Sequence, residues 1–290
     1  MKKIFMAVAV LAITALTAIC FSSCNDENEE SVKNNTNFKS VSNNVNPFDE
    51  VGAKHNQLLY DIAEHCDMSH LTLRDLYNHG INYSSIDSSQ TTFDNYVEFG
   101  VSNQEFIMDY MEDSTAIEEF TTDKEFIHYY NAFRKILVNV CLNNNLISPD
   151  DFSRQILALE NDIIKNKTFD NTDVNDIYGV LLASFSVARY SYAFWYDAYY
   201  NEKNPWHTIV INNINSNDLQ KGLFNNVVKF VKRTVCAAAA DVWGAVKALG
   251  NSIVLPPKVV VHNFITVDLV KLWKGIVNAG HASADAWVDN

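Results

Sequence analysis

The apolar positions of this chain fall into one unbroken run, one stretch with almost none, and then a long succession of helical stripes. Ile4 to Phe21 is apolar or small throughout and carries no charge, and Lys2 and Lys3 precede it. Such a run enters a membrane while its lysines stay behind, yet it is short for a stable span, which needs roughly 20 residues. Residues 25–45 are mostly Asn, Ser, Glu and Lys. They cannot bury enough surface to fold and so predict a flexible acidic tether.

From Asn46 the apolar residues recur at the spacing of one helix face. Asn46 caps and Pro47 starts a helix whose stripe is Phe48, Val51, Leu58, Leu59 and Ile62, ending near Cys66. A short helix follows from Leu71 to His79, with Gly80 as its stop. Residues 82–90 read as a polar loop. Phe93, Tyr96, Val97 and then Phe106, Ile107, Tyr110, Met111 predict two more short helices, with a further turn at 114–120. Thr122, Asp123 and Glu125 open a stronger helix through Phe126, Tyr130, Phe133 and Leu137 to about Leu142, with acid in the first turn as the helix dipole favours. Ser148-Pro149-Asp150-Asp151 is a second such start, leading through Ile156 and Ile163. The helix from Val174 to about Tyr200 is apolar on every side over Leu181 to Ala188, the mark of a central helix.

Beyond Tyr200 the pattern changes. Residues 201–217 hold Pro205 and the β-branched Ile209-Val210-Ile211, which predict a connector with a short strand near 207–213. Asp218 opens a long helix to about Leu249. Pro256-Pro257 and Val259-Val260-Val261 make 253–264 extended, a partner for that strand, and a last helix runs to about Trp287. Ala238-Ala239-Ala240-Asp241-Val242-Trp243 is echoed by Ala282-Ser283-Ala284-Asp285-Ala286-Trp287, two copies being too few for a solenoid. The expected fold is all-α, a single bundle of roughly eight helices with short connections.

The end of the first run sets the expected location. Ser22 and Ser23 stand directly before Cys24, the small residues that a lipoprotein signal peptidase requires, although Phe21 stands where leucine is usual. Bulky Ile19 makes Cys20 a poorer candidate. Cleavage would leave Cys24 as a diacylated N-terminus, dividing the chain into a signal peptide (1–23), a tether (24–45) and a helical domain (46–290). An uncleaved N-terminal anchor is the alternative. The acidic run Asn25 to Glu30 resembles the export signal that sends lipoproteins of the Bacteroidota to the outer-membrane surface.

Charge narrows the partners. Without residues 1–23 the chain keeps 20 basic and 35 acidic residues, a net of −15, which disfavours nucleic acid. The balance is uneven: Cys24 to Tyr200 carries −18 and Asn201 to Asn290 carries +3. An acidic front and a basic tail attract each other within one fold, while the alternative is a tail that meets anionic membrane. Cys66, Cys141 and Cys236 are odd in number and lie in apolar helical settings, so they read as buried thiols rather than a disulfide framework, one disulfide among them being the alternative.

Candidate chemistry is sparse. His55, His65, His70 and His79 fall close together, with Glu64 and Cys66 beside His65. A metal site needs ligands on one helix face, as in HExxH. His65 and His70 are separated by a helix break, and His55 and His65 stand about 80° apart around a helix. His55, His65 and His70 are therefore weak metal candidates, and neither a metal nor a cofactor is expected. Residues 170–182 fail as a calcium loop, because the sixth and twelfth positions lack glycine and glutamate in either register. No GxSxG, GxxxxGK[ST] or GxGxxG occurs, and nine glycines are few for phosphate-binding loops. The balance leans away from an enzyme and no catalytic residue is assigned. Two surfaces remain. Tyr192, Trp195, Tyr196 and Tyr199 are dense enough for a ligand platform, against the plainer reading of core. Lys221, Lys229, Lys232 and Arg233 interleave with an apolar stripe, a pattern that lies on anionic membrane when it does not pack on the domain.

The stretch Asn46-Pro47-Phe48-Asp49-Glu50-Val51-Gly52-Ala53-Lys54-His55-Asn56, together with the signal and the Ala-rich tail, resembles a recurrent kind of uncharacterised surface lipoprotein of the Bacteroidota. The resemblance implies lipid attachment at Cys24 and a surface-exposed outer-membrane location, and implies no activity. Three functions stay open. The first is a surface interaction module for an unidentified protein or glycan, which would present one contiguous apolar or aromatic patch and no pocket of titratable groups. The second is a membrane-active or toxin-like protein acting through Leu219 to Asn290. The third is an enzyme of unrecognised class, which would bring His55, His65 or His70 together with a carboxylate in a cleft.

Overall fold

The computed structural model describes residues 42–43, 45–84, 93, 111, 113–119, 122–142, 147–167, 177–215 and 234. Helices supply the regular structure of this part: α1 (Asp49–His65), α2 (Leu73–Ser84), α3 (Lys124–Leu142), α4 (Pro149–Asn166), α5 (Ile177–Tyr200) and α6 (His207–Asn215), with one 3₁₀ turn at Ala116–Glu119. There is no strand among the described residues. The all-α expectation therefore holds for them. Cys24, the residues before 42, Lys221, Lys229, Lys232, Arg233, Cys236 and the expected extended segment 253–264 lie outside the described residues.

The caps explain where these helices begin. Ser148 accepts the Asp151 amide on its side chain and Pro149 fills the first turn of α4, so that start is as its sequence predicts. Asp123 accepts the amides of Glu125 and Phe126 and opens α3. At α2 the cap is Thr72: its hydroxyl accepts the Asp75 amide and Asp75 accepts the Thr72 amide, a reciprocal pair that starts the helix at Leu73 rather than Leu71. Gly80 does not stop α2, which runs on to Ser84. Glycine lowers helix propensity by only about 1 kcal/mol, which packing overrides.

The strand expected near 207–213 is replaced by helix α6. Its start repeats that of α1. In Asn46-Pro47-Phe48 and in Asn204-Pro205-Trp206 the asparagine side chain accepts the amide of the aromatic residue, at 2.9 Å in both. Its carbonyl accepts the amide one residue further on, at 3.1 and 2.9 Å. Both asparagines are buried. With the backbone turned this way, Trp206, Ile209, Val210 and Ile214 fall on one helical face and enter the core. The β-branched run is thus helical because its cap and its burial outweigh its local preference.

Helix α5 is the axis. Its residues Val180 to Ala188 are buried on all sides, as a helix without a polar face must be. Around its first half pack Phe48, Val51, Phe126, Tyr130, Phe133, Leu137, Phe152, Ile156 and Ile163. Around its second half, from Phe194, pack Leu58, Leu59, Ile62, Leu76, Trp206 and Val210. Asn46 reaches Leu182, Gly52 reaches Ser186 and Asn56 reaches Tyr190, so α1 runs parallel to α5. Asn43 is buried and donates to Glu160 on α4, so this residue of the expected tether belongs to the packed domain.

Candidate functional site

Two clusters of charged side chains stand out, and they differ in access to water. The first lies in the core. Arg189 is fully buried, with Nε donating to Glu160 Oε1 at 2.9 Å and Nη2 donating to Asp49 Oδ1 at 2.5 Å. Asn43 supplies a further donor to Glu160 at 2.7 Å, and Ser42 and Tyr190 hydroxyls donate to Asp49. Burial pushes the Glu160 carboxyl above its ordinary value, opposed by the neighbouring Arg189 guanidinium. Arg189 stays charged: its burial is outweighed by the carboxylates of Glu160 and Asp49. This cluster joins α1, α4 and α5, with Arg189 and Glu160 fully buried and Asp49 at its partly exposed edge. Its role is structural.

The second cluster is open. Asp61 and His65 are one turn apart on α1, and that spacing puts both on one face. The turn at Asp67, where the carboxylate accepts from the Ser69 amide and hydroxyl, carries the chain into α2. Leu76 is buried against the second core, which sets the rotation of α2, and His79, three residues on, comes to the same side as Asp61. His79 Nε2 stands 2.8 Å from Asp61 Oδ2. His65 Nδ1 stands 2.9 Å from the Asp61 carbonyl and 3.5 Å from Asp61 Oδ1. One ligating atom from each of the three side chains lies within 4.8 Å of the others. Side-chain exposure grades from 6% at His79 through 25% at Asp61 to 60% at His65. The trio therefore runs from the floor of a cleft to its rim. The cleft holds about 560 Å³ and is lined also by Cys66, Asp67, Asp75, Asn78 and Asn82.

The electrostatics of the cleft favour a cation. The His65 imidazole is pushed up, chiefly because it donates to the Asp61 carbonyl and also because the Asp61 carboxylate is close. The Asp67 carboxyl is pulled down by the Ser69 hydroxyl and amide, so it remains ionised at the rim. Burial, with Asp75 and Asp61 nearby, pushes the Cys66 thiol up. A protonated thiol is neither a ready nucleophile nor a ready metal ligand. Cys66 is a free cysteine.

Of the three histidines singled out from sequence, the structure brings only His65 into this group. His55 is fully buried on α1, its Nδ1 against Asn56 Oδ1 at 3.0 Å. His70 is exposed beside Asp67 and Ser69. Asp61 is not among the histidine candidates, although its spacing of four from His65 places both on one helix face. Nothing in the sequence marks His79 as the third member, since its place depends on how α2 packs.

The aromatic end of α5 divides. Tyr192 and Trp195 lie wholly in the core: Tyr192 stacks on Phe152 and donates to the Ile147 carbonyl, and Trp195 meets Trp206 edge to face. They present no surface to a ligand. Tyr196 and Tyr199 are half-buried and both meet the exposed ring of Tyr200. Among the described residues the exposed large apolar side chains are Val45 and Tyr200. No helix among the described residues is long and apolar enough to cross a membrane. Comparison of the chain with family models, with curated proteins and with solved structures found no match.

Proposed function

We propose that this chain is a lipid-anchored protein of the bacterial outer membrane, held through Cys24 and exposed at the surface, whose domain is a binding module. Its ligand site is the cleft between α1 and α2. The observation that carries the second part is the convergence of Asp61, His65 and His79 at an open cleft, while the other buried charges are closed in the core. The location draws on the sequence: two lysines, an uncharged apolar run, then Ser22-Ser23-Cys24. Helices from the basic tail complete a bundle of roughly eight, the architecture that the apolar stripes beyond Leu219 favour.

This reading replaces a flat aromatic platform with a polar, titratable cleft. An enzyme of unrecognised class is the second reading, favoured by the meeting of His65 with a carboxylate in a cleft. Burial pushes the Cys66 thiol up, which disfavours it as the nucleophile of such an enzyme. The test is metabolic labelling with a clickable palmitate in a bacterial host, with protease shaving of intact cells. Label that is incorporated by the chain and lost in Cys24→Ser, with the domain removed by shaving, is the expected result. An unlabelled chain, or one protected from the protease until the cells are broken, overturns the anchored surface module.

A further inference from the structure

Resting on the reading of the α1–α2 cleft as the ligand site, we infer that Asp61, His65 and His79 form a site for a divalent ion of the zinc class. The donor set comes first. Two imidazoles and one carboxylate suit late first-row ions, whereas calcium and magnesium take shells of oxygen. Three protein ligands with a position open to a cleft is the pattern of zinc sites that admit water or an outside ligand, unlike the closed four-ligand structural sites.

Geometry follows. Donors about 2.1 Å from a tetrahedral ion stand about 3.4 Å from one another. The two imidazoles flank the Asp61 carboxylate, with His79 Nε2 at 2.8 Å from Oδ2 and His65 Nδ1 at 3.5 Å from Oδ1, and with one donor atom from each residue all three lie within 4.8 Å of one another. Drawing the three donors in to that spacing falls to His65, the most exposed of the three, whose ring would exchange its hydrogen bond to the Asp61 carbonyl for the ion. His79 and Asp61 are the fixed half. His79 is buried at the floor of the cleft, and Asp61 is set by its place on α1. The carboxylates of Asp67 and Asp75 line the same cleft and add attraction for a cation without joining the trio. Because Asp61 and His65 belong to α1 and His79 to α2, a bound ion would tie the two helices together.

The alternative is that the His79–Asp61 hydrogen bond is only a strut between the helices, with His65 an idle rim residue. The two differ in one measurement. The untagged full chain in mild detergent, stripped with a chelator, is titrated with Zn²⁺ by calorimetry and with Co²⁺ by visible absorption. One saturable Zn²⁺ site per chain is expected, undisturbed by millimolar Ca²⁺ or Mg²⁺. Its Co²⁺ spectrum should lack the intense near-ultraviolet band of a thiolate ligand. His65→Ala should weaken binding by at least about 10-fold, since even residues that only support metal ligands are worth that much. Its exposed side chain makes it the variant that keeps its fold, checked by circular dichroism. Asp61→Asn and His79→Gln should weaken binding as much, and His70→Ala should leave it unchanged. Absence of a saturable site, a His65→Ala chain that binds like the wild type, or a thiolate band that Cys66→Ser removes would each overturn the assignment. The readout is taken on purified chain, so it stands or falls apart from palmitate labelling and surface shaving.

Discussion

Replacing Arg189 with Met leaves a buried carboxylate without its cation. The side chain is fully buried and makes two charge-assisted hydrogen bonds, to Glu160 at 2.9 Å and to Asp49 at 2.5 Å. Each such bond contributes about 1.5–3 kcal/mol. Asp49 keeps the Ser42 and Tyr190 hydroxyls and is partly open to solvent, so the loss falls mainly on Glu160, which keeps only Asn43 among the described residues. Breaking a buried pair on one side costs about 3–5 kcal/mol, a large share of an ordinary domain's stability of about 5–15 kcal/mol. The cost should also depend on pH. Burial already holds the Glu160 carboxyl above its ordinary value, against the pull of Arg189. A folded state with a raised carboxyl binds the proton more tightly than the unfolded chain. Its stability is therefore greatest below the unfolded value near 4.5 and falls as pH rises through the folded value. Removing Arg189 raises that folded value further and carries the loss to higher pH. Urea denaturation of the detergent-solubilised full chain at pH 7.5 and pH 5 should show the Arg189→Met penalty large at the first and smaller at the second. The double variant Arg189→Met, Glu160→Gln should recover most of the loss at pH 7.5. An equal penalty at both pH values with no recovery in the double variant would show that lost packing, rather than an uncompensated charge, sets the cost.

Two further substitutions test the packing of α1 and the start of α4. At Gly52 an added methyl would lie 2.6 Å from both the carbonyl and the hydroxyl oxygen of Ser186 and closer still to the Tyr190 ring, so Gly52→Ala should lower stability by about 1–3 kcal/mol in thermal unfolding. An unchanged melting temperature would refute the close approach of α1 to α5. Ser148→Ala removes the acceptor of the Asp151 amide and should cost about 1 kcal/mol in urea titration, and no loss would mean that the cap does not contribute.

The fold was legible in the sequence wherever caps and stripes agreed. Ser148-Pro149-Asp150-Asp151 and the stripe through Ile156 and Ile163 left one reading, and α4 follows it. The unbroken apolar run of α5 announced a central helix, and the same fact places Tyr192 and Trp195 in the core rather than on a platform. Reading failed where a single residue type outvoted its surroundings. Gly80 suggested a stop, but the Thr72–Asp75 capping pair had started a helix long enough to pass through it. Ile209-Val210-Ile211 suggested a strand, although Asn204-Pro205-Trp206 repeats the start of α1 and the spacing of Trp206, Ile209, Val210 and Ile214 is helical. The site was half legible. Asp61 and His65 share a helix face by spacing alone, whereas the third member is chosen by the rotation of α2 about Leu76, a tertiary fact.

In the stretch from Asn46 to Asn56 the polar side chains are spent within the fold. Asn46 uses its side-chain oxygen on the Phe48 amide and its nitrogen on the Leu182 carbonyl. Asp49 pairs with Arg189, Gly52 donates to the Ser186 hydroxyl, and Asn56 uses its oxygen on His55 and its nitrogen on the Tyr190 carbonyl. The two asparagines, Asp49 and Gly52 thus hold α1 along α5, and both asparagines are buried with each amide atom already hydrogen-bonded. These positions set how α1 docks on the central helix. Chemistry has to be sought where that docking leaves side chains uncommitted to the core, and on α1 this begins at Asp61 and His65, beyond the last residue of the stretch. A chain that shares the Asn46–Asn56 pattern without counterparts of Asp61, His65 and His79 would then share this helix pairing while lacking the metal site.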